Sequence, residues 1–148
     1  LIISTIHGAN IEIMEEVGKD NFFIFGLTAD EVIDLKRQGY NPWDYYHASQ
    51  ELKQVLNMIG SGYFSPDEPD RFQPIVDVLL THGDYYLLLA DYASYVSCQD
   101  RVGELYSNPD EWTKKAILNV AGMGKFSSDR TIRQYAEQIW GVGPVPVS

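Results

Sequence analysis

Residues 21–25 read NFFIF and stop at Gly26, an aromatic and β-branched run with the composition of a strand buried on both faces. Just beyond it, Thr28 and Glu31 make a T-x-x-E box, in which each side chain bonds a free backbone amide near the other. The box predicts a helix over 29–38 that stops at Gly39. Strand, glycine and capped helix form a βα unit, which places the chain in the α/β class.

The residues before this unit read as its partner. Residues 1–6 are apolar, interrupted by Ser4 and Thr5, and end near Gly8, so a short buried strand is expected. Asn10 suits the cap of a helix of about two turns, with Gly18 in the left-handed position after it. Downstream the pattern turns helical. Asn41-Pro42 starts a short helix to about His47, and Leu52, Val55, Leu56 and Ile59 form one apolar stripe ended by Gly60-Ser61-Gly62. Phe72, Ile75, Val76 and Leu79 repeat the stripe, with Pro74 bending or delaying its start. Residues 85–90 (YYLLLA) fit a third strand or a buried extended segment, after which Asp91 caps a helix to about Tyr106. Asn108-Pro109 opens another helix, holding Trp112, Ala116 and Val120. Ser127 or Ser128 begins the last, with Ile132, Tyr135, Ala136, Ile139 and Trp140 inward, and residues 143–148 form a tail. The expected tally is two or three strands and about seven helices. Residues 91–140 are expected to bury one another, while the first strands lack partners.

With 148 residues, 45% of them hydrophobic, the chain can hold a core, and a fold of this size buries roughly 68–70% of its unfolded surface. The formal charge of -10 repels phosphate backbones and anionic membranes, which excludes nucleic acid and membrane surfaces as expected partners. No apolar run approaches the roughly 18 residues that span a bilayer. The single cysteine, Cys98, cannot form an internal disulfide and fits a reducing compartment, so the cytoplasm is the expected location. The chain opens inside an apolar run and begins with leucine, so it reads as a piece of something longer.

The residues that could carry chemistry form no strong motif. There is no G-x-G-x-x-G or P-loop, and His7, His47 and His82 lack metal-ligand spacing and read as solvent-facing or capping. Cys98, in a helix near Asp100, reads as a buried structural thiol. Asp67, Glu68 and Asp70 lie in a proline-rich loop without an apolar pocket to keep one of them protonated. The ten tyrosines and three tryptophans could form a sugar-stacking surface, but most fall on helix stripes and read as core. Lys125 precedes a helix start where an anion could bind, and a local cap by Ser127, Ser128 and Asp129 is favoured over that.

Taken in order, GANIEI at 8–13, NFFIFG at 21–26, Gly39-Tyr40, SGYFSP at 61–66, Ala90-Asp91-Tyr92, EWT at 111–113, KFSSDRTI at 125–132, Tyr135 and Ile139-Trp140 resemble the carboxy-terminal part of the α-glucan phosphorylases. The resemblance implies phosphorolysis of terminal α-1,4-linked glucose to glucose 1-phosphate, with α-1,4-glucan and inorganic phosphate as substrates. It also implies pyridoxal 5′-phosphate on a lysine of a Gly-Thr-Gly-Asn-Met-Lys stretch. That lysine precedes the position of Leu1 and is absent here, so no catalytic, cofactor-binding or metal-ligating residue transfers onto this chain, and the fragment alone is expected to be inactive. The family usually has Asp where this chain has His7, which puts the local turn contacts in question.

The implied architecture is the carboxy-terminal portion of a Rossmann-like domain in a two-domain glycosyltransferase-B fold, mostly helical after two or three strands. Residues 1–148 would be the last part of its second, cofactor-binding domain, partnered by the rest of the phosphorylase polypeptide in a homodimer. The competing reading is a natural short protein that kept the fold as a non-catalytic binding or scaffold module.

Overall fold

The computed structural model describes residues 1–143 and 145. Strand β1 (Ile3–Thr5) leads into helix α1 (Ala9–Val17), and β2 (Phe23–Phe25) returns parallel to β1 with Ile3 opposite Phe23 and Thr5 opposite Phe25. A parallel pair requires such a crossover, and α1 supplies it. The remaining elements are α2 (Ala29–Gln38), α3 (Pro42–Ala48), α4 (Gln50–Gly60), α5 (Gln73–Val76) continued by a π turn at Asp77–Thr81, α6 (Leu88–Tyr106), α7 (Pro109–Gly122), and α8 (Ser128–Gln134) continued by a π turn at Tyr135–Trp140, with short 3₁₀ turns at Lys19–Asn21, Pro69–Phe72 and Met123–Phe126.

Local signals set most of these boundaries. The Thr28–Glu31 box forms in full, and Gly39 ends α2 in the left-handed region. Asn41 accepts from the Trp43 amide, Ser49 from Leu52 and Asn108 from Glu111, each capping the helix that follows it. The core lies on α4, the first π turn and α6, where Leu52, Leu56, Leu80 and Leu89 pack together. Burying each such leucine contributes about 1.5–3 kcal/mol.

Several sequence expectations are corrected. Asn10 does not cap α1; Gly8 holds that position, and the Asn10 carboxamide donates back to Ser4 Oγ and to the Thr5 carbonyl at 3.3 Å, bracing the strand-to-helix corner. Residues 85–90 form no strand. Leu87 sits buried in the left-handed region with φ 59, and α6 begins directly after it, so Asp91 lies inside the helix. The cap comes from Asp84, whose carboxylate accepts the Leu89 amide at 2.8 Å. The π turn carries Leu80 into the core, whereas Leu79 is only half-buried.

The carboxy-terminal helices bury less than their stripes imply. Val120 is exposed, and Asn119 takes the buried place on α7. Ile132, Tyr135, Ile139 and Trp140 are exposed, and only Ala136 of the expected inward set is half-buried, because no described element covers that face. Most tyrosines and tryptophans are likewise exposed, including Tyr63, Tyr85, Tyr86, Tyr106 and Trp43. The expected tail at 143–148 falls largely on residues 144 and 146–148, outside the described residues.

Candidate functional site

A cleft of about 840 Å³ opens where the carboxyl ends of the two strands meet α2, α4 and α6. In α/β sheets this end of parallel strands is where ligand sites collect. Thr5, Ile6 and His7 come from the end of β1, Phe25 and Leu27 from the end of β2, Val32 and Ile33 from α2, Val55 and Ile59 from α4, and Tyr92 and Tyr95 from α6. Leu52, Leu56 and Leu89 form part of the lining, so the cleft is an open side of the hydrophobic core.

Helix α6 fixes the β2 wall. Asp91 Oδ1 accepts the Leu27 amide at 2.8 Å, Ser94 Oγ accepts the Gly26 amide at 3.0 Å, and the Phe25 and Tyr95 rings meet edge to face at 5.2 Å. Burial pushes the Asp91 carboxyl above the usual carboxylate range, the Leu27 amide pulls it back down, and the Asp84 charge adds to the rise. Asp84 itself is buried and accepts the Tyr40 hydroxyl at 2.7 Å. Burial first, and that bond second, hold the Tyr40 phenol far above the ordinary tyrosine value.

The polar complement of the cleft is small. Asp91 is committed to a backbone amide, and the His7 imidazole is exposed with no side-chain hydrogen bond among the described residues. The turn around His7 is closed instead by backbone bonds, from the His7 amide to the Thr5 carbonyl and from the Asn10 amide to the His7 carbonyl, both at 3.1 Å. The lining offers apolar contact and no paired acid and base.

The other residues singled out in the sequence are dispersed. Asp67, Glu68 and Asp70 are exposed, with Glu68 paired to Arg71 at 3.5 Å. His47 stacks on Trp43 at 5.9 Å, and His82 is exposed. Among the described residues, no group of three His, Cys, Asp or Glu side chains is placed to hold a metal ion. Cys98 is fully buried, as expected. Lys125 Nζ bonds Glu16 Oε1 at 2.6 Å, which raises the lysine pKa, and the local cap expected after it does not form at Ser127, which makes no side-chain cap bond. The Asp84–Tyr40 pair escaped sequence reading, although an acid directly after Gly83 and just before an apolar helix start was a usable signal.

Sequence comparison supplies what the cleft does not. The profile of the family described as carbohydrate phosphorylase matches residues 1–142. The chain belongs to this family. Its members include a glycogen phosphorylase from Synechocystis sp., 54% identical over 147 residues and 99% of this chain, and the muscle-form glycogen phosphorylase of Mus musculus, 52% identical over 144 residues. The brain form from Homo sapiens is 54% identical over 144 residues. The chain spans 17% of the length of each of these carbohydrate phosphorylases. Among the described residues, no helix is long and apolar enough to cross a membrane.

Proposed function

We propose that residues 1–148 are the carboxy-terminal part of the second, cofactor-binding domain of an α-glucan phosphorylase of the glycosyltransferase-B type. The parent would cleave terminal α-1,4-linked glucose with inorganic phosphate, release glucose 1-phosphate, and work as a cytoplasmic homodimer. The observation that carries this reading is the similarity to glycogen phosphorylases, which for the Synechocystis sp. protein is 54% identity across 99% of the chain. The parallel βα crossover and the strand ends at an apolar cleft are compatible with the edge of a larger Rossmann-like sheet.

Pyridoxal phosphate, the cofactor this reading implies, does not fit the residues present. None of Lys19, Lys36, Lys53, Lys114, Lys115 and Lys125 lines the cleft. Lys125 is paired with Glu16, Lys114 with Glu111, and Lys115 donates to the Asp20 carbonyl, while Lys36 and Lys53 lie over the Tyr85 and Tyr46 rings. The family resemblance puts the attachment lysine in a Gly-Thr-Gly-Asn-Met-Lys stretch upstream of the position of Leu1, and no catalytic or cofactor-binding residue is assigned to this chain. Its own side chains brace the wall at the strand ends, through Asp91 and Ser94 on β2 and Asn10 on β1.

The test is an assay of the parent polypeptide with glycogen and with maltodextrin, with and without inorganic phosphate. Phosphate-dependent release of glucose 1-phosphate is expected. Its absence from every α-1,4-glucan tried would refute the proposal.

A further inference from the structure

A second cavity, of about 350 Å³, lies at the turn between α2 and α3 and shares no lining residue with the cleft at the strand ends. Its volume is near the lower end of the roughly 300–1,000 Å³ found for small-molecule pockets, which suits a ligand of one ring. The local sequence makes the hollow. Gly39 ends α2 in the left-handed region, Asn41 caps α3, and the chain turns back within these residues. An added Cβ at Gly39 would meet nothing within 4 Å, so the turn leaves open room.

Two walls are aromatic and held from outside the cavity. The Tyr40 and Tyr45 rings lie 5.4 Å apart at 45°. Tyr40 is fixed by its bond to buried Asp84, and Tyr45 packs against the leucine core. Rings already held in place lose little freedom when a ligand arrives. The rim, by contrast, is polar and contributed by both helices. Gln38, at the end of α2, is exposed and its carboxamide makes no hydrogen bond among the described residues. Asp44, in the first turn of α3, accepts Asn41 Nδ2 on Oδ1 at 2.9 Å, which leaves Oδ2 open.

This combination selects a ligand chemistry. Asp44 and the net charge of -10 disfavour an anion. A wholly apolar molecule would leave the rim groups desolvated and unpaired. A sugar ring answers both surfaces, because its C–H face packs on an aromatic ring while its hydroxyls donate to a carboxylate and exchange bonds with a carboxamide. We infer that this cavity is a subsite for one neutral pyranose ring, stacked on the tyrosine wall and hydrogen-bonded by Gln38 and Asp44. The inference goes beyond the proposed reaction, in which the subsite takes no part. A free hexose and one unit of a glucan chain share this chemistry.

Hydrogen exchange on the parent polypeptide, titrated separately with glucose and with maltopentaose, tests it. Amides of residues 39–45 should gain saturable protection from at least one of the two sugars. Protection by glucose makes a free hexose sufficient, and protection by maltopentaose alone assigns the subsite to the chain. Gln38→Ala and Asp44→Ala, both at exposed positions, should each weaken that protection about tenfold, with unchanged unfolding midpoints and unchanged phosphorolysis of saturating maltopentaose. Four results overturn the inference: no protection from either sugar, protection that survives both substitutions, amides fully protected before sugar is added, or protection by tetramethylammonium and by neither sugar. Protection without any phosphorolysis by the parent refutes the proposed reaction and leaves the subsite, whereas phosphorolysis without protection does the reverse.

Discussion

Asp91 and Leu27, 64 residues apart, are joined by a 2.8 Å hydrogen bond from the Leu27 amide to the Asp91 carboxylate. The bond ties the first turn of α6 to the end of β2. It also constrains Gly26, which has φ 83 and where an added Cβ would lie 2.7 Å from Asp91 Oδ2. Gly26→Ala combines a disfavoured backbone with overpacking and should cost about 1–3 kcal/mol. Asp91→Ala leaves the Leu27 amide unpaired and should cost about 1–3 kcal/mol. Urea unfolding of each variant beside the unsubstituted protein measures both, and a neutral result for Gly26→Ala would mean that α6 does not press on the strand end.

Tyr40→Phe removes the only side-chain donor to buried Asp84 among the described residues, leaving the Leu89 amide as its remaining partner. The expected cost is about 1–3 kcal/mol. In the unsubstituted protein, ultraviolet titration should find Tyr40 still protonated through the ordinary tyrosine range, and Tyr40→Phe should lose that phenol while keeping Tyr92, which burial and Glu51 also raise.

The acid limb of stability should respond in opposite directions to two carboxylates. Hydrogen bonds from the Thr28 backbone and side chain hold Glu31 below its ordinary value, so its contribution is present above the unfolded value and is lost as pH falls through the folded one. Glu31→Gln should make the acid limb shallower. Asp91 is raised, chiefly by burial, so its ionised form costs stability above the folded value, and that cost disappears as pH falls below the unfolded one. Asp91→Asn should make the acid limb steeper. Denaturation midpoints taken across the carboxylate range decide both signs.

Asn119 Nδ2 donates to the Asn21 carbonyl at 2.7 Å and to the Lys115 carbonyl at 2.9 Å, linking α7 to the turn before β2. Asn119→Asp sets a carboxylate against two carbonyl oxygens and should destabilise more than Asn119→Ala does. Thermal unfolding of the two variants checks the order, and a milder aspartate would contradict this bonding pattern.

What could be read from the sequence was what neighbouring residues decide. The Thr28–Glu31 box, Asn41 and Asn108 each satisfy amides two or three residues away, and their helices start where the spacing places them. Features that depend on distant partners were not legible. Leucine is a poor candidate for a left-handed backbone, so its own identity does not mark Leu87 as the start of α6, and the Tyr40 hydroxyl that holds the capping Asp84 in place comes from 44 residues away. Asn10 looks like a cap because caps favour asparagine, but the strand end gives its carboxamide nearer acceptors. The apolar stripe of the last helix was correctly spaced but faces no described partner, and periodicity cannot say whether the partner belongs to the same stretch of chain. The family likeness lay in the order of short motifs and not in the cleft, whose lining contains no catalytic pair.

The most direct test of the central claim, that this chain is one part of a phosphorolytic enzyme and holds none of its catalytic residues, is phosphorus NMR of glycogen and inorganic phosphate. The parent polypeptide and the 148-residue chain would be incubated with them in separate tubes. The account predicts α-glucose 1-phosphate growing in at the expense of inorganic phosphate with the parent, and an unchanged spectrum with the chain alone. Product formed by the chain alone, or a parent that leaves phosphate untouched, would contradict it.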